Sequence, residues 1–131
     1  MAAIAPSIFL MLALAATPTP FEAVATMAEQ LSSDNARGFV RMFSPSMEGY
    51  EELRRNVESL DAAYEISSSI EILGQKENTL SVDWFLELKP KSGVGQLIRR
   101  RERVSLEFQS KGKQLEVIKF QPISLFSLPE Q

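Results

Sequence analysis

The side chains that could carry out chemistry in this sequence are carboxylates, tyrosines and cations. The 131 residues include neither histidine nor cysteine. That composition excludes structural zinc sites, thiol nucleophiles, disulfides and the Ser-His-Asp triad. Proton transfer would fall to an acidic residue or to Tyr50 or Tyr64, because carboxyl and phenol groups can act as general acids and bases. No motif marks one carboxylate as a base, and no cofactor is predicted.

Residues 96–109, "QLIRRRERVSLEFQ", contain four arginines within five positions. The whole chain nevertheless has a formal net charge of −3. Because nucleic-acid binding depends on excess positive charge along the phosphates, this balance argues against a nucleic-acid partner. The period of two in the second half of the stretch instead predicts a β-strand with charged side chains on both faces.

Residues 80–88, "LSVDWFLEL", alternate between apolar and polar side chains and predict the neighbouring strand. Folding the two strands together through the loop "KPKSGVG" places Trp84 opposite Glu102 on the inner face. On the outer face, the same register gives three cross-strand pairs: Asp83 with Arg103, Phe85 with Arg101 and Glu87 with Arg99. Opposite charges across an antiparallel pair are favourable, so most of the arginine run is predicted to be a solvated face with its own partners.

On the inner face of the arginine-rich strand, Arg100 and Glu102 interrupt an apolar row. Closing the next hairpin on Lys111–Gly112 pairs Glu102 with Gln121 and brings Lys119 to the same face. Arg100 and Lys119 would then receive a ligand carboxylate, with Glu102 orienting them. The candidate ligand-binding residues of the sheet are Trp84, Arg100, Glu102, Lys119 and Gln121. In the alternative interpretation, the strands bulge or twist and these charges only rim the sheet.

The elements that position these residues follow from the spacing of the apolar side chains. A first helix begins at Pro20, a second is predicted to be capped by Asp34, and a third to be capped by Ser46 and to end near Ala62. After Tyr64 the apolar period changes to two and predicts four strands. The predicted fold class is α+β, with three N-terminal helices packed against a four-stranded antiparallel sheet.

Residues 2–16, "AAIAPSIFLMLALAA", are uncharged and almost wholly apolar, as in a secretory signal peptide. We predict a signal peptide at 1–15, an extended leader at 16–20, one domain at 21–126 and a C-terminal tail at 127–131. Export to the periplasm or the medium follows from this division. The alternative is a buried N-terminal helix in a cytoplasmic protein.

The order of elements resembles the nuclear transport factor 2-like superfamily, which includes ketosteroid isomerases and SnoaL-type polyketide cyclases. The resemblance is carried by "ARGFVRMFSPSMEGYEELRRNVESLDAAYEISSSIEIL" at 36–73 and "LSVDWFLELK" at 80–89. It implies a curved sheet that wraps around the long helix as a cystatin-like cone, with a pocket open at one end. Tyr50 on that helix and Trp84 then become pocket candidates. A homodimer through the sheet face is also common in families of this fold.

Two classes of function remain open. In the first, the domain is a non-catalytic module of an exported protein that binds a small apolar or acidic ligand or a protein partner. In the second, it is a cofactor-free isomerase, cyclase or dehydratase acting on a small apolar substrate. The lack of histidine and of a clearly inward-facing aspartate favours the first class. Neither nucleic acid nor, after signal cleavage, a membrane is expected as a partner.

Overall fold

The computed structural model describes residues 18–129. Three helices come first: α1 Pro20–Ser32, α2 Ala36–Arg41 and α3 Tyr50–Ala63. Four strands follow: β1 Tyr64–Lys76, β2 Thr79–Pro90, β3 Ile98–Lys111 and β4 Gln114–Gln121, before a 3₁₀ helix at Ile123–Phe126. The predicted fold class is confirmed at the level of α+β with three helices and a four-stranded antiparallel sheet. The predicted signal peptide, residues 16–17 of the leader and residues 130–131 of the tail lie outside the described residues.

The helix starts differ from the prediction at two places. Asn35 rather than Asp34 caps α2, since its side-chain oxygen accepts from the Gly38 N–H at 3.0 Å. Helix α3 begins after Gly49, whose φ of 82° lies in the left-handed region that glycine tolerates. Ser46 lies in the loop before α3, where its hydroxyl group hydrogen-bonds the Ser44 hydroxyl group at 2.8 Å.

The sheet is a meander with the strand order β1-β2-β3-β4. Trp84 lies opposite Glu102 and Glu87 opposite Arg99, so the predicted β2–β3 register is confirmed. The inner face of β2 is buried at every position: Leu80, Val82, Trp84, Leu86 and Leu88. Burial of this apolar row against the helices stabilises the sheet.

The predicted register of β4 is wrong. The hairpin closes on Gly112–Lys113, one residue later than expected, because Gly112 at φ 61° suits the first central position of a type II′ turn. Ile118 is then an unpaired extra residue, a β-bulge, and shifts the register again. As a result, Gln121 pairs with Ser105 rather than with Glu102, and β4 ends there.

The core lies between the helices and the inner face of the sheet. The largest fully buried side chains come mainly from the helices and from β2, β3 and β4, among them Phe39 on α2, Leu53 on α3 and Trp84 on β2. The far half of β1 extends beyond this core, since Ile72 is 38% exposed and Leu73 is 42% exposed. Among residues 18–129, no helix is both long enough and apolar enough to cross a membrane.

Candidate functional site

Five aromatic rings occupy the region between the helices and the sheet. Trp84 has no exposed surface, and its ring centroid lies 6.4 Å from Phe39, 5.7 Å from Phe120 and 6.3 Å from Phe126. Phe43 contacts both Phe39 and Phe120, at 5.1 Å and 5.7 Å. Most pairs meet edge to face, the arrangement that the ring quadrupoles favour. We call these five residues the aromatic cluster; all five side chains are buried.

The polar edge of Trp84 is also engaged. Its Nε1–H donates to the Ser68 hydroxyl on β1 at 2.7 Å. A buried donor without a partner would be costly, so this bond fixes the orientation of the indole in the cluster. In the sequence, Ser68 lies between isoleucines on the inner face of β1. A serine in that apolar row is the signal from which a hydrogen-bond partner for a buried group could have been predicted.

Arg100 and Glu102 share the inner face of β3, as predicted, but they have different environments. Arg100 Nη1 donates to the Leu125 carbonyl oxygen at 2.8 Å, and burial lowers the pKa of its guanidinium from the ordinary value. Glu102 is exposed, because β4 ends before reaching it. Arg100 therefore holds the 3₁₀ helix against the sheet, while Glu102 faces solvent.

The other candidate residues lie elsewhere. Lys119 and Gln121 lie opposite Glu107 and Ser105 on the outer face, so the four-residue polar cluster expected on the concave side does not form. The bulge at Ile118 moved them there, because it shifts the pairing by one residue. Tyr50 is the first residue of α3, half-buried against the core. Ligand binding by these residues stays a prediction.

The outer face of β2 and β3 carries the predicted ladder. Arg99 Nε donates to Glu87 Oε2 at 3.1 Å, and the Arg101 guanidinium lies 5.2 Å from the centroid of the Phe85 ring. Both predicted neighbour pairs are confirmed. A guanidinium over an aromatic face gains a cation–π attraction, and its long stem covers apolar surface.

Asp83 differs from the prediction in its ion-pair partner. It lies opposite Arg103 in register, but its Oδ2 accepts from Arg101 Nη2 at 2.9 Å. The Arg101 side chain crosses the Phe85 ring and reaches the diagonal neighbour, a distance that long side chains span across a sheet. Hydrogen bonding to Asp83 raises the pKa of the Arg101 guanidinium. Arg103 has no ion-pair partner among residues 18–129.

One acidic cluster was missed in the sequence because its members lie far apart along the chain. Lys91 Nζ lies 3.7 Å from Asp34 Oδ1, and Asp61 on α3 lies beside Asp34. Burial raises the pKa of the Asp61 carboxyl, and the neighbouring Asp34 raises it further. A groove of about 350 Å³ borders this cluster, lined by Ser32, Asp34, Glu65, Ile66, Ser67 and Lys91.

A larger groove of about 520 Å³ opens at the end of the domain where α3 passes into β1. Its lining is mostly apolar and includes Tyr64, Val94, Ile98 and Pro129. Within the described part of the chain, no group of three or more acidic side chains is placed to hold a metal ion.

No protein-family model matches this sequence, and no curated protein is similar enough to be a relative. Among solved structures, the chain is similar to Aln2 from a Streptomyces species, determined at 1.8 Å, with a TM-score of 0.50 and 14% identity. The match covers 79% of this chain and 90% of Aln2. At this identity the likeness concerns the fold alone, and it is consistent with the cone-like arrangement of helices and sheet.

Proposed function

We propose that this chain is a non-catalytic binding domain of an exported protein, and that its partner binds outside the cone. The observation that carries the proposal is the aromatic cluster. An enzyme working inside the cone would need open space with a carboxylate or tyrosine facing the substrate. Here the five rings take that space, and Trp84 has no exposed surface. The interior then contributes stability and leaves binding to the surface.

The buried carboxylates support the same proposal. Asp83 and Glu116 are 7% and 8% exposed, and both lie on the outer face. Asp83 pairs with Arg101, while Glu116 accepts from Gln109 Nε2 at 3.0 Å and from Lys111 Nζ at 3.3 Å. The bond from Gln109 is the main cause that lowers the pKa of Glu116. A carboxyl whose pKa is lowered by donors, like that of Glu116, is a weaker general base near neutral pH and suits a structural acceptor.

The alternative, a cofactor-free isomerase, cyclase or dehydratase, is favoured by one observation. Asp61 has a raised pKa and lies in the cluster that borders a groove, and a carboxyl in that state suits a general acid. In that case the reaction would take place at the α3 end of β1, outside the aromatic cluster.

The chain has a single tryptophan, so its emission reports on the interior alone. We expect blue-shifted Trp84 emission that acrylamide quenches weakly. Saturating anilinonaphthalene sulfonate or dodecanoate should leave the emission maximum unchanged, because the rings leave no space for an apolar probe.

The matched control is Phe126→Ala, which removes a ring 6.3 Å from Trp84 and opens a cavity. In this variant the same probes should shift the Trp84 emission. If they shift it equally in the parent protein, the interior takes ligands and the proposal is wrong.

A further inference from the structure

The strand β3 changes its pairing along its length. It pairs with β2 from Ile98 to Glu107, but β4 pairs with it only from Ser105 onward. Among residues 18–129, no backbone hydrogen bond joins residues 98–104 to a segment other than β2. We call residues 98–104 the free edge. An unpaired edge of this kind offers a row of N–H and C=O groups to an incoming strand.

The hydrogen-bond pattern shows which residues face outward along the free edge. The Phe108 N–H donates to the Asn78 carbonyl at 3.0 Å, on the β2 side of the strand. Because backbone groups alternate along a strand, even-numbered residues of β3 bond towards β2 and odd-numbered residues bond away from it. The groups directed away from β2 along the free edge therefore belong to Arg99, Arg101 and Arg103.

The side chains of the same three arginines lie on the outer face, beside the free edge. The Arg99 and Arg101 side chains are 77% and 68% exposed despite their ion pairs, and Arg103 has no ion-pair partner in the described chain. Between them, Glu102 lies exposed on the inner face. An incoming strand therefore meets positive charge on one face and a carboxylate on the other.

A second copy of this chain fits the free edge poorly. An antiparallel pair centred on Arg101 would place the two Arg101 residues opposite each other and Arg99 opposite Arg103. Like charges directly opposite destabilise a pair of strands. At the other edge of the sheet, on β1, Ser32 Oγ already accepts from the Ser68 N–H at 2.8 Å and donates to the Ser68 carbonyl at 3.1 Å.

We propose that the free edge receives an extended segment of another protein, which adds a strand along residues 99–103. Its acidic side chains occupy every second position and meet the three arginines on the outer face. An unbroken acidic run is disfavoured, since one of its carboxylates would lie opposite Glu102. This inference rests on the proposed binding function and names the class of partner. The two proposals can be disproved independently, because Trp84 emission tests the interior and peptide binding tests the free edge.

The test uses the whole isotope-labelled chain and a synthetic peptide, acetyl-TEVEVET-amide. In the free protein, the amides of Arg99, Arg101 and Arg103 should exchange with solvent much faster than those of Arg100 and Glu102. Adding the peptide should protect the three odd-numbered amides and leave the others unchanged. A scrambled peptide of the same composition, acetyl-EEEVVTT-amide, should bind more weakly.

Two changes separate backbone pairing from simple charge attraction. Methylating the peptide amides that face the free edge removes the donors and should weaken binding by about tenfold or more. Arg103→Gln should weaken binding by about two- to fivefold, and the matched control Lys113→Gln in the β3–β4 turn should leave it unchanged.

Three results would overturn the proposal. Equal binding of the scrambled or methylated peptide would mean that the arginines attract any polyanion. Unchanged exchange at the odd-numbered amides in the presence of bound peptide would place it elsewhere. Slow exchange of those amides in the free protein would show that the free edge is already covered, either by the chain's own termini or by a second copy. The molecular mass in solution would distinguish these two cases.

Discussion

Trp84 and Arg103 occupy opposite faces of the same two-stranded ladder, and their substitution should have very different costs. Trp84→Ala removes a fully buried ring from the aromatic cluster and should lower the free energy of unfolding by about 3–5 kcal/mol. Arg103→Ala removes an exposed side chain without an ion-pair partner among residues 18–129, and should cost less than about 0.5 kcal/mol. Urea unfolding followed by circular dichroism measures both.

Ser68→Ala separates the hydrogen bond of Trp84 from its packing. Removing the hydroxyl leaves the indole N–H buried without its partner, which should cost about 1–3 kcal/mol. Ser69→Ala, one residue along on the outer face, is the control and should be near neutral. If the serine costs came out reversed, or if Arg103→Ala cost more than Trp84→Ala, the assignment of strand faces would be wrong by one residue.

At the scale of the elements, the β2–β3 register was predictable because two independent patterns agree on it. The apolar row on β2 fixes the face, and the acids opposite the arginines fix the pairing; a shift of one residue would bury charge. The β3–β4 register lacked such agreement. Gly112 is compatible with two closures of the hairpin, and nothing in the residues around Ile118 marks a bulge.

The prediction of a polar cluster on the concave side was wrong for the same reason. Lys119 and Gln121 were placed on the concave side by the predicted register alone, and the bulge at Ile118 moves both to the outer face. The aromatic cluster was not predicted, because Phe120 lies on the inner face only in the observed register and Phe126 belongs to a 3₁₀ helix that follows the last strand. Likewise, Asp34, Asp61 and Lys91 come from three separate loops and helices, and tertiary packing alone brings them together.

The contact between the α1–α2 loop, α3 and the β2–β3 loop should depend on pH through Asp61. Its pKa is raised in the folded protein, so ionised Asp61 destabilises the fold at neutral pH. Stability on this account increases as pH falls through the raised pKa, and the gain is complete below the ordinary value of 3.8. Asp61→Asn should therefore be more stable than the parent at pH about 7, and the difference should shrink towards pH about 3.

Urea midpoints of the parent and Asp61→Asn at several pH values measure this dependence. Glu48→Gln, which neutralises an exposed carboxylate in the loop before α3, is the matched control for the loss of one negative charge. Two results would contradict a raised pKa for Asp61: a difference in stability that stays constant across the pH range, or a variant that is less stable than the parent at neutral pH.

At the scale of the whole molecule, the apolar interior stabilises the fold, and the charged surface is available for binding. The aromatic cluster, the Arg100–Leu125 hydrogen bond and the α1–β1 contact at Ser32 hold the helices and the sheet together. The outer face and the free edge carry exposed charged side chains, among them Arg99, Arg101 and Arg103. We propose that this charged surface, rather than the interior, binds the partner.

The predicted export of the protein can be tested at its N-terminus. Residues 1–15 are predicted to be removed after Ala15, because small residues at Ala13 and Ala15 suit signal peptidase. Mass spectrometry of the protein from its native source should find an N-terminus at Ala16. Ala13→Gln should block cleavage and retain the precursor, whereas Ala16→Gln, just beyond the cut, should be processed as usual. An intact N-terminus on protein recovered from the cytoplasm would contradict export and leave the binding domain to act inside the cell.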